Sequence, residues 1–186
     1  MTIVIIGKSG SGKTTLAKYL EEVKGFRRII TYTTRPIREN EVDGVDYHFL
    51  SQEEFNKRKE DGFFAETADD DASFGHCSYG SAKEDYNIDH NSVIVLNPYG
   101  VKQIYGKTKG KIIYIIASDD LIRKRLQLRG DKSEEIERRL ETDEIDFKDM
   151  DKYSDFNIKI DSNSTIEDIA HKIQFALNID ECLVHK

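Results

Sequence analysis

The chain opens Met1-Thr2-Ile3-Val4-Ile5-Ile6 and continues Gly7-Lys8-Ser9-Gly10-Ser11-Gly12-Lys13-Thr14. The first segment is a short apolar run rich in β-branched residues, the pattern of a buried strand. The second satisfies G-x-x-x-x-G-K-[ST] at every fixed position. Thr15-Leu16-Ala17-Lys18-Tyr19-Leu20 then has the apolar spacing of a helix. Strand, glycine loop and helix in this order are the context a P-loop needs. Gly7, Ser9, Gly10, Ser11, Gly12 and Thr15 are small enough for backbone N–H groups to turn around phosphate oxygens. The helix N-terminus adds partial positive charge. Lys13 is expected to reach the outer phosphates of a nucleoside triphosphate. Thr14 is expected to place its hydroxyl on Mg²⁺.

Working outward, the chain has 186 residues, enough for one domain with a full core and hardly enough for two. Its net charge of −7 argues against general attraction to nucleic acid or an anionic membrane. The arginines cluster nonetheless: Arg35 with Arg38, and Arg123, Arg125, Arg129, Arg138 with Arg139. Local positive charge in an acidic chain suits a small polyanion. Cys77 and Cys182 make no disulfide framework or paired metal motif, and a reducing cytoplasmic setting fits. His76 and Cys77 beside Asp69-Asp70-Asp71 match no standard metal spacing. No apolar run approaches membrane-spanning length, and the first residues lack the charged lead of a signal peptide.

The periodicity predicts a helix from Lys13 to Lys24 ended by Gly25, then a short strand Arg28–Thr31. Ser51 with Glu54 reads as a capping box opening a helix that Gly62 closes. A strand starts at Phe63, Asp69–Asp71 reads as an acidic loop, and Phe74 to Tyr79 as extended chain. Ser81 with Glu84 reads as a second capping box. Val93–Leu96 is a strand stopped by Asn97-Pro98, and a helix follows to Tyr105. Lys111–Ala117 is the clearest buried strand. Asp119–Arg129 and Ser133 to about Asp149 are charged helices, Phe156–Ile160 is the last strand, and Ser164 with Glu167 caps a final helix. Apolar strands alternating with helices predict an α/β fold. The expected form is a three-layer α/β/α domain of P-loop type with a mainly parallel five-stranded core sheet. Residues 1–30, 92–118 and 150–186 are assigned to that core; 31–91, a small mixed β/α stretch, and 119–149, a helical pair, are insertions on it.

On spacing alone, Arg35 and Arg38 are as well explained as solvated surface, and Tyr47 and Tyr79 as half-buried core. Glu66 could simply be a strand glutamate facing water. Several longer motifs favour a sharper reading: Thr33-Thr34-Arg35-Pro36-Ile37-Arg38, Glu41-Val42-Asp43-Gly44-Val45-Asp46-Tyr47-His48-Phe49, Tyr79-Gly80, Arg125-Leu126-x-x-Arg129-Gly130, and Arg138-Arg139-Leu140. With the P-loop, these make the chain resemble the guanylate kinases over nearly its whole length. The resemblance implies that Arg35, Arg38, Tyr47 and Tyr79 grip the phosphate of GMP. It implies that Glu66 accepts from N1–H and the exocyclic amine of guanine, that Ser81 bonds the base and that Thr31 helps. It makes 31–91 the GMP-binding region and 119–149 a helical lid, with Arg125, Arg129 and Arg139 as lid arginines reaching ATP and the transferred group, catalytic together with Lys13 and Arg38. Arg123 and Arg138 are expected instead to pair with nearby glutamates.

The sequence departs from the family pattern at the base pocket. Val95 and Asn97 stand where aspartates are common, so Asn97 can accept one hydrogen bond from guanine but brings no charge. The connection from Glu66 to Tyr79, through Asp69–Ser73, is also longer than usual. The implied reaction is transfer of the γ-phosphoryl of ATP to GMP, with dGMP as a further candidate acceptor, by a monomer or homodimer. Rival readings are a related kinase for another monophosphate or sugar phosphate, and a non-catalytic binding module of the same fold. A switch-type GTPase is disfavoured because no Asn-Lys-x-Asp segment is present.

Overall fold

The computed structural model describes residues 1–39, 41–70, 76–86, 90–107 and 110–177. Asp71, Phe74 and Cys182, which entered the sequence reading, lie outside them.

The opening apolar run forms strand β1 (Thr2–Gly7), buried at every position. It has no polar side because both faces of its sheet are covered. Ile3 and Ile5 point into one core with Leu16, Leu20, Ile113, Ile169 and Ile173. Val4 and Ile6 point into the other with Ile94, Val101, Ile104, Phe147 and Met150. The sheet runs β2-β7-β1-β8-β9, from Arg27–Arg28, Ser92–Val95, Thr2–Gly7, Lys111–Ala117 and Phe156–Ile160. Every pairing in it is parallel. Helices α1 (Lys13–Lys24) and α6 (Ile166–Leu177) cover the first face, and α3 (Pro98–Ile104) covers the second. The expected three layers and five strands are therefore present.

The insertion after β2 builds a second sheet in the order β4-β3-β6-β5. Its strands are His48–Phe49, Tyr32–Thr33, Cys77–Ala82 and Phe64–Asp70, with helix α2 (Gln52–Glu60) alongside. The β3–β4 pair is parallel and the pairs to β6 are antiparallel, so this sheet is mixed. The Ser51–Glu54 capping box forms with both halves present, and Gly62 follows the helix at φ 71°. Helices α4 (Asp119–Leu128) and α5 (Ser133–Asp146) make the outlying helical pair. Ile122, Leu126, Ile136 and Leu140 root that pair in the first core.

Four local expectations are corrected. The second strand covers Arg27–Arg28, not Arg28–Thr31, because only this pair meets β7 in register. Asp69 and Asp70 are strand residues paired to Ser78 and Cys77, not loop; a partner strand overrides their low strand propensity. Ser81 caps nothing: it lies within β6, and Lys83–Tyr86 is a single 3₁₀ turn. The cap of α6 sits one residue later than expected, where the Thr165 hydroxyl accepts from Asp168 N and Asp168 accepts from Thr165 N. Ser164 instead bonds Asp161.

Candidate active site

The glycine loop takes its shape from two residues in left-handed backbone, Gly10 at φ 74° and Gly12 at φ 95°. An L side chain is strained at either position. Gly12 is the N-cap of α1 and offers no side chain to its first N–H groups, so that helix end is left for an external anion. Gly7 is equally constrained: a Cβ there would stand 2.6 Å from the Ile115 carbonyl oxygen and 2.7 Å from Ser11 Oγ. Ser11 Oγ is buried without a hydrogen-bond partner among the described residues.

The loop is held from the side of α4 and α5. Ser9 N donates to Asp143 Oδ2 of α5 at 2.8 Å. Arg125 Nη1 of α4 donates to the carbonyls of Ser11 at 3.2 Å and Gly10 at 3.4 Å. Lys8 bridges Asp119 and Glu144 at 2.9 and 3.1 Å. Lys13 Nζ turns back onto the Lys8 carbonyl at 2.9 Å. Burial pushes the Lys13 ammonium down to about 8, against the attraction of Asp143. Burial likewise raises Asp143, against the Ser9 hydrogen bond and Lys13.

At the other end, Arg35 is buried at 3 % exposure and forks onto Glu41, with both N···O distances 2.7 Å. Burial opposes its charge, but Glu41 more than compensates, and the guanidinium is held charged. Its face lies 5.0 Å from the centre of the Tyr47 ring. Glu41 also accepts from Arg38 N, which sets the bend that brings Arg38 beside Arg35. Arg38 is pushed below its ordinary value by burial and by Arg35. A site that presses two guanidinium groups together favours an arriving anion.

Glu66 shares the buried face of β5 with Phe64 and Ala68. A bulge between Phe64 and Glu66 places Glu66 opposite Ser81 and re-aims its side chain. Ser81 donates to Glu66 Oε1 at 2.8 Å. The other oxygen, Oε2, rests against the start of α3, where a Cβ on Gly100 would meet it at 2.6 Å. Burial lifts Glu66 to about 7, tempered by the Ser81 hydrogen bonds. Asn97 caps α3 by accepting from Gly100 N at 2.8 Å. Gly100→Ala is therefore expected to displace Glu66 and raise the KM for the base-bearing substrate about tenfold, with little change in turnover at saturation. Steady-state kinetics with that substrate varied would check this.

One cavity of about 950 Å³ joins these parts. Gly7, Ser9 to Thr15, Thr31, Arg35, Arg38, Tyr47, Glu66, Tyr79, Asn97, Arg125, Arg129 and Arg139 all line it. Ser81 does not: it is wholly buried behind Glu66. Arg129 is paired with Asp131, and Arg139 with Glu135. Arg123 is bridged to Glu137 and Asp120, as the sequence suggested. Sequence reasoning assigned no role to Glu41, Asp143 or Tyr86. Glu41 lay inside a quoted motif, six residues after Arg35. Asp143 gave no local signal, because its partner Ser9 is 134 residues away.

A family model described as guanylate kinase matches residues 1–179. The guanylate kinase of Nitratidesulfovibrio vulgaris is 34% identical over 144 residues, covering 75% of this chain and 70% of that protein. The guanylate kinase of Clostridium perfringens strain 13 is 32% identical over 187 residues, covering 99% of this chain and 85% of that protein. The crystal structure of guanylate kinase from Anaplasma phagocytophilum shares the fold at a TM-score of 0.72 and 24% identity, covering 97% of this chain and 88% of that one. With glycine loop, arginine fork and buried carboxylate around one cavity, and with these matches over most of its length, the chain belongs to the guanylate kinase family.

Proposed function

We propose that this protein transfers the γ-phosphoryl group of ATP to the phosphate of GMP, giving ADP and GDP. The observation that carries the reading is the single cavity lined by the glycine loop, by Arg35, Arg38, Tyr47 and Tyr79, by Glu66, and by Arg125, Arg129 and Arg139. The phosphate of GMP is already anionic, so its oxygen needs no general base. The barrier lies in bringing two polyanions in line, and a dense set of fixed cations lowers it.

The glycine loop fits a polyphosphate. Its Ser9 N–H already binds a carboxylate oxygen, Ser11 Oγ is buried without a partner among the described residues, and Gly12 gives α1 no side-chain cap. Lys13 would exchange the Lys8 carbonyl for phosphate oxygens. Thr14, exposed on the cavity wall, offers the hard oxygen that suits Mg²⁺. When bound, that ion supplies charge neutralisation between the phosphates. Arg38 would hold the acceptor phosphate, with Arg35 locked behind it by Glu41. Glu66 would accept the two N–H groups on one edge of guanine. Adenine has an acceptor at N1 and meets the carboxylate unfavourably.

The experiment is a rate comparison with ATP and magnesium against GMP, dGMP, AMP, UMP and CMP, following ADP release. GMP is expected to exceed AMP in kcat/KM by about a hundredfold or more, because the wrong base leaves buried polar groups unpaired. Preference for another monophosphate, or no turnover with any, overturns the reading.

A further inference from the structure

Tyr86 closes the 3₁₀ turn after β6, and its ring packs against the second core. Phenylalanine would serve that packing equally well. The hydroxyl that phenylalanine lacks lies 2.8 Å from Ser81 Oγ. Ser81 has one hydroxyl hydrogen, and that hydrogen is directed to Glu66 Oε1 at 2.8 Å. Tyr86 must then be the donor in its contact with Ser81. Three side chains from β5, β6 and the turn thus form a chain of donors running one way, Tyr86 to Ser81 to Glu66. It ends on a carboxylate with 4 % exposure.

We propose that Tyr86 is a positioning residue for substrate recognition: its donation orients the Ser81 hydroxyl onto Glu66, and so keeps that carboxylate ionised and aimed at the base. The inference deepens the reading of Glu66 as the guanine acceptor and rests on it. A donor polarised by the next donor is stronger, and donation to a carboxylate favours its charged form. Without Tyr86, the oxygen of Ser81 loses its own donor and its hydrogen can turn away. Glu66 then protonates at higher pH, and a protonated carboxyl presents an O–H where guanine needs an acceptor.

The charge state of Glu66 is set by burial and by the Ser81 hydrogen bonds, and other titratable groups share its cavity. Asp69 of β5, Tyr79 of β6, Tyr99 of α3 and Arg35 line the same cavity. Asp85 stands beside Tyr86 and adds to burial in holding the phenol un-ionised. None of these changes in Tyr86→Phe, so a change in the titration of Glu66 reports the lost hydroxyl.

The test compares wild type, Tyr86→Phe, Ser81→Ala and the double variant from pH 6 to 8.5. In Tyr86→Phe the KM for GMP at pH 6.5 is expected to rise about three- to tenfold, with kcat and the KM for ATP within about twofold. The acid limb of kcat/KM for GMP is expected to move to higher pH; the phosphate of GMP titrates identically in both proteins and cancels. Tyr86→Phe should add nothing in the Ser81→Ala background, where the chain is already cut. A purely structural role for Tyr86 would lower thermal stability, leave the acid limb in place and add to Ser81→Ala; that outcome overturns the proposal. Carboxyl ¹³C NMR of Glu66 without nucleotide gives an independent reading. If wild type proves inactive on GMP, the functional assignment fails, while an upward shift of the Glu66 midpoint in Tyr86→Phe still supports the relay and an unmoved midpoint still refutes it.

Discussion

Lys13→Ala is expected to cut turnover by at least about a hundredfold, with a smaller rise in the KM for ATP. The lysine lies at the start of α1, where Gly12 leaves backbone N–H groups for phosphate. Its ammonium is driven toward neutrality by burial, to about 8, and its hydrogen bond among the described residues is to the Lys8 carbonyl. A buried cation in that condition gains most when negative charge develops beside it, so its contribution is larger at the transition state than in the bound ground state. A hundredfold loss corresponds to about 2.7 kcal/mol, an ordinary value for one preorganised charge. Lys13→Arg is not expected to restore the rate, because a planar fork does not fit a seat shaped for a point charge. The fold should survive, since removing a desolvated ammonium relieves a cost. Single-turnover rates with saturating ATP and GMP, alongside thermal midpoints, provide the check. Wild-type turnover in Lys13→Ala would refute the assigned role.

Glu66→Gln is expected to lower kcat/KM for GMP by about a hundredfold or more. The amide keeps one acceptor for the donation of Ser81 but places an N–H against a substrate edge made of N–H groups. The same variant separates recognition from stability. In the folded chain burial lifts this carboxyl to about 7, above its ordinary value of 4.5. Between those limits the folded state holds more protons than the unfolded one, so this group makes stability fall as pH rises from about 4.5 to 7. The penalty is complete above 7. The glutamine variant should therefore melt higher than wild type at pH 8 and match it near pH 4.5. A variant that binds GMP normally, or melts lower at pH 8, would show that Glu66 is not the buried acceptor described.

Legibility in the sequence followed the range of the interactions. Helix α1 and strand β8 end where the sequence placed them, because Gly25 and a continuous apolar run are strong local signals. The cradle from Gly7 to Thr15 was readable for the same reason: nine consecutive residues carry the whole geometry. Ser81 was misread because its hydroxyl serves a neighbouring strand, not the turn that follows it. The bulge that aims Glu66 depends on how β5 meets β6, and no residue spacing announces it. The Arg35–Glu41 fork lay within reach of local reasoning, whereas the Asp143–Ser9 contact joins segments that only the folded sheet brings together.

That last contact changes what donor affinity means for this chain. A carboxylate of α5 sits on an amide of the glycine loop, so a triphosphate that took that amide would first displace it. Its dissociation constant then records an exchange of one negative partner for another, and reads weaker than the loop's intrinsic grip. Since Asp143 and Arg139 belong to one helix, whatever draws Asp143 off the glycine loop acts on the segment that carries this arginine.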